Sequence, residues 1–298
     1  SLPALLVAAF AWGAASDAFV HGCGVALVDI AGDGLPRALA RTNLWSAVGD
    51  LLGPLTVTIC ALAAFGWRAP FLGLGVSMLG YAAWLASQKL PPPPGRTREE
   101  AGPRRGPLAD LRDVLADRRL IPLALALGLF GLLDEPLHAF VIAYLERAAR
   151  EGPALAAAPV AAMLAGGMAG YAAYERLAGD GETGARRAAL VAAAAMSLFL
   201  PAALFAPALA LRLAAGFGFG IAGAVFHTAL SAAVLRLRPG QAGAVSAAVS
   251  LIGMIDMGFP ALAGWAADAA GLLAAIGLYL AVPPLVLALT ALLRRAAQ

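Results

Sequence analysis

Apolar residues dominate this chain in blocks about as long as a bilayer's hydrocarbon core is thick, with short polar turns between them. A spanning helix takes roughly 20 mostly apolar residues. The pattern predicts nine such helices, at about 3–28, 42–66, 69–88, 120–145, 154–175, 188–206, 208–235, 242–267 and 271–293. Only one interruption is long. Lys89 to Arg119 opens Lys-Leu-Pro-Pro-Pro-Pro-Gly-Arg-Thr-Arg-Glu-Glu and closes on Asp117-Arg118-Arg119. Consecutive prolines cannot continue a helix, because each lacks an N–H and fixes φ. They favour an extended, solvated segment. The expected organisation is three membrane helices over 1–88, a linker over 89–119 and a six-helix bundle over 120–298. The class is an all-α polytopic membrane protein.

Composition supports that class. The chain is 61% hydrophobic and 13% charged, against roughly 45–50% and 25% in soluble domains. The formal charge of +3 does not point to nucleic acid, because the basic residues fall in short loops where they set topology. Cys23 and Cys60 lie inside apolar blocks. They offer neither a disulfide framework nor metal spacing, and read as small hydrophobes.

Arginines collect in alternate loops: Arg37 and Arg41, the linker, Arg176 with Arg186 and Arg187, Arg236 with Arg238, and the tail Arg294-Arg295. The positive-inside rule then puts the linker and C-terminus in the cytoplasm. With nine spans the chain starts outside, yet it opens at Ser1 with no basic stretch of a signal peptide. The expectation is a chain lacking an odd number of helices at its start.

Several motifs carry a family resemblance. Gly49-Asp-Leu-Leu-Gly53-Pro54 is similar to the start of a motif associated with proton antiporters, although Val57 and Thr58 stand where a Gly-Gly would follow. Gly66-Trp67-Arg68-Ala-Pro-Phe71 resembles a turn between the fifth and sixth helices of the major facilitator superfamily. Tyr174-Glu175-Arg176, with Gly170 before it and Arg186-Arg187 after it, resembles that family's Gly-xxx-Asp-Arg-x-Gly-Arg-Arg loop, with the acid shifted by one and a longer loop. The resemblance implies two six-helix halves joined by a cytoplasmic loop, here without the first three helices. It implies a helix-packing and gating role for Gly49, Asp50, Gly53, Pro54, Glu175 and Arg176. Independently of the family, glycines four apart at 49 and 53, 166 and 170, and 216 and 220 let another helix backbone approach closely.

Ionisable groups inside a membrane are costly and are functional candidates. Asp17 and His21 are four apart and share a helical face, as do Asp134 and His138, with Glu135 and Pro136 between them. Asp256 sits near the middle of the eighth span. These six (Asp17, His21, Asp134, Glu135, His138, Asp256) are the proton-coupling candidates, because a carboxylate and a nearby imidazole can share a proton. Asp50 is read about two turns into its span, as a coupling group or a pin near the cytoplasmic face. His227 reads as a hydrogen-bonded packing residue, and Arg212 as snorkelling to the outer interface.

The expected function is a secondary active transporter of a small organic solute, proton-coupled and of efflux-antiporter type. Its partners are the lipid bilayer, a small-molecule substrate and protons; it is monomeric, binds no nucleic acid and needs no cofactor. The expected site is a bacterial inner membrane. Two alternatives stand beside it: a receptor or scaffold on a transporter fold, and a membrane-embedded enzyme. The enzyme lacks His-Glu-x-x-His, Gly-x-Ser-x-Gly and any Cys/His metal spacing.

Overall fold

The structure, a computed structural model, describes residues 2–66, 68–88, 106–177, 182–238 and 240–296. The side chains of a few residues inside helices, among them Asp17, Pro54 and Asp256, lie outside the described residues, as do Trp67 and most of the proline-rich linker. Everything regular is helical: α1 Leu2–Ala31, α2 Leu35–Leu62, α3 Arg68–Ser87, α4 Pro107–Leu115, α5 Leu120–Gly131, α6 Glu135–Arg147, α7 Pro153–Leu177, α8 Glu182–Phe205, α9 Leu209–Leu235, α10 Ala242–Gly253, α11 Phe259–Ala270 and α12 Leu272–Ala296. No strand occurs among the described residues.

Seven stretches of the described residues are long and apolar enough to cross a membrane. The expected nine are not counted, for two physical reasons. First, the connection expected between 28 and 42 is only a short turn. Gly32 takes φ +50°, the chain turns through a 3₁₀ segment at Gly32–Gly34, and α2 starts at Leu35 with Pro36 in its first turn. Residues 6–62 therefore read as one apolar stretch. Arg37 and Arg41 stand on α2 rather than in a loop, and Asp50 moves from two turns to about four turns inside its helix. Second, the eighth expected span is divided by the 3₁₀ segment Met254–Gly258 into two helices of 12 residues each, α10 and α11.

The span over 120–147 is broken too. The N–H groups of Leu132, Leu133 and Asp134 bond carbonyls three residues back, at 3.2, 2.8 and 3.4 Å. Pro136, in the first turn of α6, has no N–H to bridge the gap. The two breaks are neighbours. Gly128 and Gly253 precede them, and a Cβ on Gly128 would lie 2.9 Å from the Gly253 Cα.

Successive spans, with α5–α6 and α10–α11 each taken as one, alternate in direction, so α4, the ends of α1, α3, α7, α9 and α12, and the starts of α2, α5, α8 and α10 share one face, the linker face. The other is the far face. The C-terminal bundle is tightly packed. Lipid chains are as apolar as leucine, so helices associate through close van der Waals contact, which small residues allow. Across α7 and α9 a Cβ on Gly166 would overlap the Phe217 carbonyl, and one on Gly220 would overlap the Met163 carbonyl. Tyr279 of α12 is fully buried between Phe140 of α6 and Phe259 of α11, with ring centroids 5.3 and 5.2 Å away.

The N-terminal helices differ. No residue of α3 is buried. Leu51, Leu52, Leu55, Ile59 and Leu62 of α2 are exposed, an apolar surface suited to hydrocarbon rather than water. A Cβ at Gly49 or Gly53 would meet nothing within 4 Å, so the close approach expected there is not made among the described residues. Cys23, read from its apolar block as a small hydrophobe, is exposed. Burial in α2 concentrates at the linker face, where Leu35, Leu39 and Ala232 of α9 form a small core with Leu27, Val28, Ala31 and Leu235.

Candidate functional site: the interface between the bundles

Polar contacts between the N-terminal helices and the C-terminal bundle gather toward the linker face. At the rim, the Arg236 guanidinium donates to the backbone carbonyls of Asp33 (2.8 Å) and Gly32 (3.4 Å), just past the end of α1. Such carbonyls lack intrahelical donors, and a cation there also meets the negative end of the helix dipole. One level in, Arg41 of α2 donates to Glu175 of α7 at 2.6 Å. Glu175 was expected to gate with Arg176; its described partner is Arg41, and Arg176 is exposed.

Deeper still are two histidines. His21 of α1 has Ser246 Oγ 2.6 Å from Nδ1 and Ser250 Oγ 2.8 Å from Nε2, both on α10. A neutral imidazole donates at one nitrogen and accepts at the other, and serine hydroxyls can do either, so both nitrogens are served. The Asp17 carboxyl, expected as its partner, lies outside the described residues. His227 of α9 stacks on Phe130 with ring centroids 5.5 Å apart, and the Asn43 amide of α2 lies 3.3 Å from its Nδ1. Asn43 also donates to the fully buried Thr228 hydroxyl at 3.4 Å. By helical rise, His21 and Asn43 sit about 12–15 Å in from the linker face.

Past this level lies a layer of acids. Asp17, Asp50, Asp134 and Asp256 each stand fourteen or fifteen residues from the linker-face end of their spans, at the middle of helical stretches of about 28–30 residues. Asp134 is 67% exposed and lies 3.9 Å from His138 Nδ1. Asp50 is exposed, and its carboxylate acts electrostatically on both Asp134 and Tyr171 of α7. Glu135 is exposed beside Asp134, and Asp256 is placed only by its backbone. The described arginines all stand near helix ends. Arg212, expected to snorkel, instead pairs with Glu151 near the far face, both mostly buried. No described arginine stands at the level of Asp50 and Asp134.

Asn43, Thr228, Ser246 and Ser250 were not singled out from sequence. The signal was modest: Ser246 and Ser250 are four apart, on one face of an otherwise apolar helix.

The arrangement is two helix groups pinned together at one face, with acids at mid-depth beyond the pins. A family model described as Major Facilitator Superfamily matches residues 1–255. No curated protein is matched. The match covers most of a chain already read as membrane helices around a polar linker, so the protein belongs to the major facilitator superfamily and is a membrane transporter.

Proposed function

We propose that this transporter moves a small organic solute in exchange for protons, with the aspartates at mid-helix as the proton-carrying groups. The observation that supports the reading is the level shared by Asp50 on α2 and Asp134 at the α5–α6 break, one from each helix group and each fourteen or fifteen residues from the linker-face end of its span. Two carboxylates brought together at one level repel when both are ionised. Protonation removes the repulsion and lets the helix groups approach at that level. His138, with Nδ1 3.9 Å from Asp134, supports the reading as a group that could take up or return the proton after a small approach. Binding energy that favours one closure over the other then drives alternating access.

The arginine distribution supports a cytoplasmic linker face and C-terminus, as in a bacterial inner membrane. In that orientation the pinned face is the cytoplasmic one. The Gly49–Pro54 resemblance supports export by antiport.

Reconstituted protein tests the reading. Proteoliposomes loaded with a pH-sensitive dye are exposed to a panel of organic cations, sugars, amino acids and amphipathic amines. At least one solute is expected to move protons against its own flux, and Asp134→Asn and Asp50→Asn each to slow that movement at least tenfold. A panel that moves no protons, or asparagine variants as active as the parent, overturns it.

A further inference from the structure

Helix α4, the short helix after the proline-rich segment, has no role in the transport reading. It is nonetheless tied to the bundle. Val114 is fully buried. Asp117, just past the C-terminus of α4, accepts from Arg238 Nε at 3.1 Å, and Asp110 accepts from the Gln241 amide at 3.4 Å. Arg238 and Gln241 belong to the six-residue connection between α9 and α10. The same connection starts with Arg236, whose guanidinium grips the Gly32 and Asp33 carbonyls of the N-terminal helices. The connection is thus held on one side by α4 and reaches across the interface on the other.

We propose that α4 is a brace for the linker-face gate: by holding Arg238 and Gln241 it fixes the α9–α10 connection so that Arg236 stays on the α1–α2 turn, and its release loosens the two helix groups at that face. Asp117, Arg238 and Gln241 are positioning residues; Arg236 makes the cross-interface contact. Geometry supports the division of labour. Arg236 and Arg238 are two residues apart in a segment without regular structure, one directed to the α1–α2 turn and the other to α4. A free connection would lose conformational entropy each time Arg236 engaged, and α4 removes part of that cost in advance. The proposal rests on the helix groups moving against each other. Its test reads their separation directly, so a failure of proton coupling would not imitate a failure of the brace.

The test uses the full chain in lipid nanodiscs with Cys23 and Cys60 replaced by serine. Spin labels are placed at Thr42→Cys on α2 and Leu177→Cys on α7, both exposed, Leu177 at the linker face and Thr42 about 10 Å in from it, and the distance distribution is measured. Arg236→Ala, which cuts the grip itself, is expected to add a longer-distance population. Asp117→Asn and Arg238→Ala are each expected to add the same population. Gln241→Ala should add a smaller one, and Arg238→Lys should leave the distribution unchanged. The double variant Asp117→Asn/Arg238→Ala should match either single variant, because both cut one link. Unchanged distributions in Asp117→Asn and Arg238→Ala overturn the proposal. So does additivity in the double variant, which would make the two residues act separately.

Discussion

At Gly220 a methyl group would overlap the Met163 carbonyl, whereas at Gly53 it would meet nothing. The two glycines look alike in sequence, each half of a pair four residues apart. Only the structure separates them. Overpacking a close helix crossing costs about 1–3 kcal/mol, because backbone rather than a flexible side chain must give way. Gly220→Ala is therefore expected to lower unfolding stability in mild detergent by that amount. Gly53→Ala is expected to be neutral or to stabilise by up to about 1 kcal/mol, since alanine removes the entropic cost of a helical glycine. Comparing the two unfolding midpoints, with the parent as reference, checks both. The acids of the candidate site were legible at this scale, because a charge in an apolar block stands out whatever the fold. Their partners were not. Serine and asparagine are tolerated in membrane helices, so Ser246, Ser250 and Asn43 gain meaning only when α1 and α2 are set against α10 and α9.

Helices show where hydropathy alone misleads. A window of apolar residues cannot tell a continuous helix from one broken over three to five residues, so α5–α6 and α10–α11 read as single spans. Pro136 and Pro260 marked the breaks, but a proline also sits inside the unbroken α7 at Pro159 and α8 at Pro201. The shortness of the turn at Gly32–Gly34, inside the loop expected over 29–41, has a similar cause, because polar residues there are as compatible with the solvated ends of two helices as with a loop. The linker was legible as a divider, while the attachment of α4 depends on Asp117 and Arg238, 121 residues apart. That attachment has a pH signature. The Arg119 N–H bonded to Asp117 and the Arg238 guanidinium beside it hold the carboxyl below the usual carboxylate range, against the opposing effect of partial burial. A lowered value in the folded state means the carboxylate stabilises fully above its ordinary value, near pH 4. The contribution is lost as pH falls through the lower folded value. The melting-temperature difference between the parent and Asp117→Asn is expected to be constant from pH 7 to about 5 and to shrink below about 4. Thermal melts across that range measure it, and a difference that grows on acidification contradicts the assignment.

For the molecule as a whole, contacts at the linker face and acids beyond them describe one state of a carrier with two helix groups. The class was legible early, since composition, block length and one polar divider all follow from the needs of a chain in lipid. The state was not, because it depends on which of two closures the interface contacts favour. If repulsion between Asp50 and Asp134 helps hold the groups apart beyond the pins, neutralising it must shift the balance toward release at the linker face. Glu135 and His138 stand beside Asp134 on the same span. The most direct measurement is the Thr42–Leu177 spin-label distance in nanodiscs at pH 8 and pH 5. The account predicts a longer-distance population at pH 5 in the parent, and the same population at both pH values in Asp50→Asn/Asp134→Asn. A distribution indifferent to pH in the parent, or a pH shift that survives in the double variant, would contradict it.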